Sequence, residues 1–246
     1  MKKAILAFFL AYGSMWATTA TAVFSVPGGG GFSPGNGLLA LNAVGSPAVL
    51  QTVTKVTTAG GQAPPITIVF PSAITSGSTI LVFFESHAVN IPDTYTLTDT
   101  LSNTYTVIQT QGDGTGGFNH AQTSMIASNS GAGSDTITVS YTRGGSPVVT
   151  EMTMIAIEVS GLATSSTVQA KTQSFTPTFP DTLNLTVTGS VYLVAYSMNA
   201  DFSANLTTVA GYTAQASVLN STDGGTVKVF TVSGPGGPVP APVGIF

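Results

Sequence analysis

Ten acidic residues and two histidines are the side chains of this chain best suited to acid, base or metal chemistry near neutral pH, and there is no cysteine. Glu85 closes the apolar run ILVFFESH, and Glu158 lies near the end of MTMIAIEVSG. Two carboxylates facing one groove can protonate a glycosidic oxygen and activate its attacker, so Glu85 and Glu158 are the candidates for glycan hydrolysis. Both follow apolar residues that predict burial, and neither belongs to an acidic cluster. Glu151 and Glu158 are seven apart, an odd number, so on a regular strand they face opposite ways. The simpler expectation for Glu158 is a strand-end carboxylate that accepts backbone N–H bonds near Ser160 and Gly161.

His87 and His120 are the only histidines. With Glu85 they would make a three-ligand metal site, but only Glu85 and His87 are close in sequence. The two histidines are therefore expected apart, at loop edges. A Ser-His-Asp triad would have only His87 and His120 to draw on and would also need a nucleophile signature. Calcium is the one cofactor with candidate ligands, Asp93, Asp99 and Asp113, since this hard cation takes loop carboxylates and carbonyls. Their spacing is sparser than in a calcium loop. The segment QGDGTGG around Asp113 has no lysine for a phosphate loop and reads as a hairpin tip. The only tryptophan, Trp16, lies in the leader. Tyr95, Tyr105, Phe118 and Tyr212 remain as rings for stacking on a sugar, with core packing as the alternative use.

The elements that must position these residues are strands. Charged residues make up 7% of the chain and apolar residues 43%, so threonine, serine, glycine and asparagine must supply the polar surface. Such a composition suits an exported β protein. The opening MKKAILAFFLAYGSMWATTATA has two lysines, a short apolar run and a small-residue Ala20-Thr21-Ala22 site. It reads as a secretory signal over residues 1–22, with cleavage after Ala22. Without Lys2 and Lys3 the formal charge moves from -4 to -6, which disfavours nucleic acid as a partner. No later segment is long and apolar enough to be a membrane-spanning helix. The absence of cysteine removes disulfides, thiolate metal sites and a cysteine nucleophile. Three Asn-x-Ser/Thr sites, at Asn184, Asn205 and Asn220, matter only in a eukaryotic host.

Residues 23–48 are rich in glycine and proline and read as a linker or arm, and 233–246 as an extended Pro/Gly tail. Between them, over 49–232, strand signals recur from Leu50, Ile66, Ile80, Tyr95, Thr104, Gln122, Thr136, Val149, Val168, Leu183, Val191, Thr213 and Val227. ILVFFE, MTMIAIEV and VYLVAY are apolar on both faces and predict central strands, while TITVSY and TVKVFTV alternate and predict half-exposed ones. TDTLSNTYTVI, Thr98 to Ile108, predicts a hairpin in which Asp99 closes an Asx turn and Ser102 or a neighbour takes a positive φ. SGSTILVFF at Gly77 and TGSVYLVAY at Gly189 echo each other at an offset of 112, each followed by Tyr-Thr and then by an alternating strand, TITVSY or TVKVFTV. The expectation is an all-β, two-sheet antiparallel sandwich of jelly-roll or Greek-key (Ig-like) topology.

The order SGSTILVFF, TDTLSNTYTVI, SNSGAGSDTITVSY, MIAIEVSGL, TGSVYLVAY, AGYTAQ, over about Ile66 to Val232, resembles a recurrent bacterial β-sandwich domain of secreted, surface and phage tail-associated proteins. That resemblance implies the fold and an extracellular or virion setting, and it implies no activity. Its turn usually has glycine where this chain has Ser102. The expected function is that of an exported, non-catalytic module, secreted or at the cell surface or on a virion, that binds a glycan or protein partner or takes part in assembly. A glycan-active enzyme using Glu85 and Glu158, or a carbohydrate-binding module, is the alternative.

Overall fold

The computed structural model describes residues 18–25, 35–57, 65–88, 94–113, 119–142, 149–164, 169–173, 181–187, 190–199, 208–209, 211–219 and 226–231, and the side chains of some strand-end residues, His87, Asp113 and His120 among them, lie outside the description. The described elements are all strands: β1 (Thr18–Ser25), β2 (Gly35–Thr57), β3 (Ile66–Val69), β4 (Thr79–Ala88), β5 (Thr94–Asp99), β6 (Thr106–Asp113), β7 (Asn119–Ala127), β8 (Thr136–Thr142), β9 (Val149–Leu162), β10 (Gln169–Gln173), β11 (Asp181–Val187), β12 (Val191–Asn199), β13 (Thr208–Val209), β14 (Thr213–Leu219) and β15 (Thr226–Thr231). Every pairing is antiparallel. This is an all-β sandwich.

A nine-stranded sheet runs β14-β15-β12-β2-β9-β4-β7-β6, with β10 also paired to β2, and two three-stranded sheets run β3-β8-β5 and β11-β1-β13. The large sheet bends at β2, whose ladder with β9 shifts register between Ala43 and Ala48 and again between Val49 and Gln51. Extra residues of this kind kink a strand and increase its twist. The bend lays β12 and β15 over β4 and β9, with Leu39, Tyr196 and Val229 packed against Leu81, Phe83 and Ile155. Each small sheet then covers the outer face of one half. Ile66, Leu97 and Ile137 pack on Val82 and Phe84, and Ala20, Ala22 and Leu183 pack on Leu38 and Leu193. The result is four layers and three apolar cores.

The layers form two equivalent units. In the first, β4 lies between β9 and β7 with β6 at the edge, under β3-β8-β5. In the second, β12 lies between β2 and β15 with β14 at the edge, under β11-β1-β13. The first unit takes β3 to β10 in chain order. The second takes β11 to β15 and is completed from the other end of the chain by β1 and β2. The two units exchange strands, since the C-terminal part of β2 pairs with β9 while β10 pairs with the N-terminal part of β2.

Register fixes the equivalence residue by residue. Both edge ladders carry a shift, between Val107 and Gln109 and between Ala214 and Ala216. Aligning these shifts matches Ser124 with Val229, and their partners Phe83 with Tyr196, an offset of 196 minus 83, or 113. The sequence echo at 112 is therefore one residue out of phase, which on a strand exchanges the two faces. The matched rings of Phe83 and Tyr196 meet with centroids 4.8 Å apart. Tyr196 lies over Gly37, where an added Cβ would stand 2.0 Å from the ring. Of the alternating strands, TITVSY is β8 of a small sheet and TVKVFTV is β15 of the large one, so those two are not equivalents.

Two further expectations change. Residues 23–48 are not all linker, because 18–25 form β1 and 35–48 begin β2, with Leu38, Leu39 and Leu41 fully buried. Covered on both faces, GLLAL reads as an apolar run without alternation, and the glycines and prolines beside it masked the strand signal. The stretch from Thr98 to Ile108 is not a hairpin, since β5 pairs with β8 and β6 pairs with β7 in the other sheet. It is an arch that carries the chain from one layer to the next.

Candidate functional site

The arch is held by its own side chains. Asp99 accepts from Leu101 N at 3.0 Å and Asn103 N at 2.9 Å on one oxygen, and from Asn103 Nδ2 at 2.7 Å and Tyr105 Oη at 2.8 Å on the other. Asn103 Oδ1 in turn accepts Gly131 N at 2.9 Å, tying the arch to the β7–β8 connection. Ser102 takes φ 59°, the left-handed value expected of it. Asp135, almost wholly buried, accepts Thr100 Oγ1 at 3.0 Å. Burial first, and the nearby Asp99 charge second, push its pKa up. With four donors on its carboxylate, Asp99 has little left to give a calcium ion. Asp113 lies at the far end of β6, and Asp93 lies outside the described residues. Among the side chains described, no three His, Asp or Glu residues gather.

The two candidate catalytic carboxylates are not brought together. Glu85 and Glu158 are both buried, but strand alternation puts Glu85 on the face of Leu81 and Phe83, between the units, and Glu158 on the opposite face with Ala156. Ile80 is the register partner of Glu158, and Glu85 lies five residues further along, roughly 17 Å at about 3.4 Å per residue. Glu158 is held by Thr75 N at 2.7 Å and Gln51 Nε2 at 2.6 Å. It is anchored across to the β3–β4 connection rather than to Ser160 and Gly161.

The candidate rings are also accounted for. Tyr95 is buried, its hydroxyl bonded to Ser86 and its ring edge-on to Phe84. Tyr105 packs beside the first core and bonds Asp99. Tyr212 packs against the outer core of the second unit, and its buried hydroxyl has no hydrogen-bond partner. Phe118 lies outside the described residues.

Among the described residues, two features could receive a ligand. The first is a groove of about 500 Å³ beside the edge strand β6, lined by Thr104, Thr106, Val107, Ile108, Ile126, Ser128 and Ala170 of β10. Its lining combines hydroxyls with aliphatic carbon and contains no titratable side chain. The second is the end of the interface between the units. There the apolar core gives way to Ser124, which donates to Tyr196 Oη at 3.2 Å, and to Gln109, which accepts from the same hydroxyl. One step outward the register aligns Gln111, Gln122, Glu85 and Thr153, and one step further Asp113, His120, His87 and Glu151. The histidines thus lie within β7 and β4 and are direct register partners. Sequence spacing hid this, because 33 positions separate two residues that only the β4–β7 pairing brings side by side.

The fold and these two features define an antiparallel β-sandwich of two strand-exchanged units with a neutral edge groove and a polar interface end. Comparison with protein-family models, with curated proteins and with solved structures finds no match.

Proposed function

We propose that the protein is an exported, non-catalytic β-sandwich module that works by binding or assembly at a cell surface or on a virion. The observation that carries this reading is the β6 groove. Its hydroxyls and aliphatic side chains suit a neutral, extended partner such as a glycan or a peptide segment, and its lining offers no acid or base. The opposite placement of Glu85 and Glu158 supports the same reading, because a glycosidase needs its two carboxyls on one groove. A composition with only 7% charged residues agrees with an exported β protein.

The test is to fill the groove. Thr106→Trp and Ser128→Trp should each weaken binding to cells or envelope glycans at least tenfold, on the order of 1.4 kcal/mol, with the fold intact by circular dichroism. Binding within threefold of the wild type would contradict the groove assignment. Glycan turnover that Glu85→Gln abolishes would contradict the non-catalytic one.

A further inference from the structure

We propose that the β6 edge is a homodimer interface, at which two copies of this chain pair β6 to β6, antiparallel, about a two-fold axis. The inference rests on the reading of the groove as a site for a neutral, extended partner, and it names that partner as a second copy. β6 ends the nine-stranded sheet, and among the described residues no strand pairs with its outer edge. A row of unpaired N–H and C=O groups is a template for another strand, which proteins commonly block with lysine, other charges or proline. Thr104 to Gln111, TYTVIQTQ, contains none of these. Two-fold pairing sets a strand against its own copy, where a charge would meet its like at a cost. An uncharged edge is what self-pairing requires.

The second unit supplies an independent reason, because it carries the same edge in a closed form. Aligning the two register shifts matches Val107, Ile108 and Ile126 with Ala214, Gln215 and Thr231. Carried through Leu81 and Val194, the alignment matches Ala170 with Thr52. There β14 packs against β2 and β9, and Gln215 Nε2 donates to Thr231 Oγ1 at 2.8 Å. At the β6 edge the groove stands open between β6 and β10, lined by Ile108, Ile126 and Ala170, and Val107 is 50% exposed. One frame thus has two edges, polar where it is closed and aliphatic where it is open. A two-fold axis beside β6 turns the grooves of two copies toward each other, so that each copy covers the aliphatic residues of the other. Removing that surface from water favours association, and the pairing leaves neither copy with an open β6 edge.

The test sets the two edges against each other. The mass of the full chain is followed by light scattering up to about 100 µM, where even a weak dimer is populated, and amide exchange in β6 is followed over the same range. A mass of two chains is expected, with the β6 amides better protected as concentration rises. Val107→Lys, at a half-exposed position, should raise the dissociation constant about tenfold or more, since the pairing brings two lysines together. Ala214→Lys, at the equivalent exposed position of β14, should leave it within about threefold. A chain that stays monomeric at the highest concentration would overturn the inference, and if that monomer still binds cells through the groove, the groove reading stands without it. A dimer that Ala214→Lys weakens as much as Val107→Lys would also overturn it, as would masses that grow past two chains, because β6 would then be pairing with a different surface. So would β6 amides that gain protection only when envelope glycan is added, which would assign the groove to glycan.

Discussion

The two units differ most where they should be most alike, at the shared interface. Phe83 and Tyr196 are equivalent and stack on each other, yet two residues further along each strand the first unit has Glu85 and the second has Met198. Flanking these, Gln122 and Thr153 answer to Val227 and Gly35. A position that one copy of a frame fills with methionine does not need a carboxylate to fold. The comparison separates a row whose rings meet in both units, Phe83 and Tyr196, from the Glu85 row, which is polar in one unit and apolar in the other.

The units also differ in how the chain completes them, and breaking that difference should have the largest effect. Cleavage after Ala22 would remove five of the seven residues, Thr18 to Phe24, through which β1 pairs with β11, together with the fully buried Ala20 and Ala22. The first unit, whose central β8 lies inside the chain, would be untouched. A recombinant chain beginning at Val23 should lose the cooperative melting of the second unit while the first keeps its hydrogen-exchange protection. The same pairing predicts that the mature chain keeps Thr18 rather than beginning at Val23, which mass spectrometry of the N-terminal peptide checks.

A smaller effect separates the two edge-strand tyrosines. Tyr105 and Tyr212 immediately precede equivalent strands, but Tyr105 donates to the Asp99 carboxylate at 2.8 Å whereas the hydroxyl of Tyr212 is buried without a partner. Removing a hydrogen bond to a charged group costs about 1.5 to 3 kcal/mol, while removing an unsatisfied hydroxyl costs nothing or stabilises. Tyr105→Phe should therefore lower stability by about 2 kcal/mol in urea titration, and Tyr212→Phe should leave it unchanged or raise it. Equal losses would show that the arch is not what holds Tyr105.

The smallest expected change is at Ser102. Its φ of 59° strains a side chain with a Cβ by about 1 kcal/mol relative to glycine. Ser102→Gly should raise the melting temperature by about 2 to 4 °C, the shift that 1 kcal/mol produces in a chain of this size. A fall would show that the serine contributes a bond that outweighs its strain.

What the sequence revealed follows from how far apart the partners lie along it. Strands β4, β9 and β12 were legible as central because apolar side chains on both faces report burial without reference to any partner. The Asx turn at Asp99 and the positive φ at Ser102 were legible because both arise within five residues. Local sequence alone makes the arch look like a hairpin, because it states only that the chain turns, and the partners β8 and β7 decide in which layer each arm ends. β1 was hidden by its likeness to a cleavage site, since small alanines suit a tight outer core as well as a peptidase. The row of His87 and His120 was hidden because strand pairing, not spacing, creates it, and the groove combines residues of β6, β7 and β10 that no window joins.

The most direct test of this account transplants the interface of one unit into the other. Glu85→Met together with Gln122→Val gives the first unit the residues that the second has at Met198 and Val227. Replacing both members of a buried polar pair with apolar groups of similar size is neutral or stabilising when the frame accepts them. The double variant should melt cooperatively at or above the wild-type temperature. A loss of more than about 2 kcal/mol, well beyond what a volume-conserving core exchange costs, would mean that the polar row is required for folding and that the two units are not equivalent.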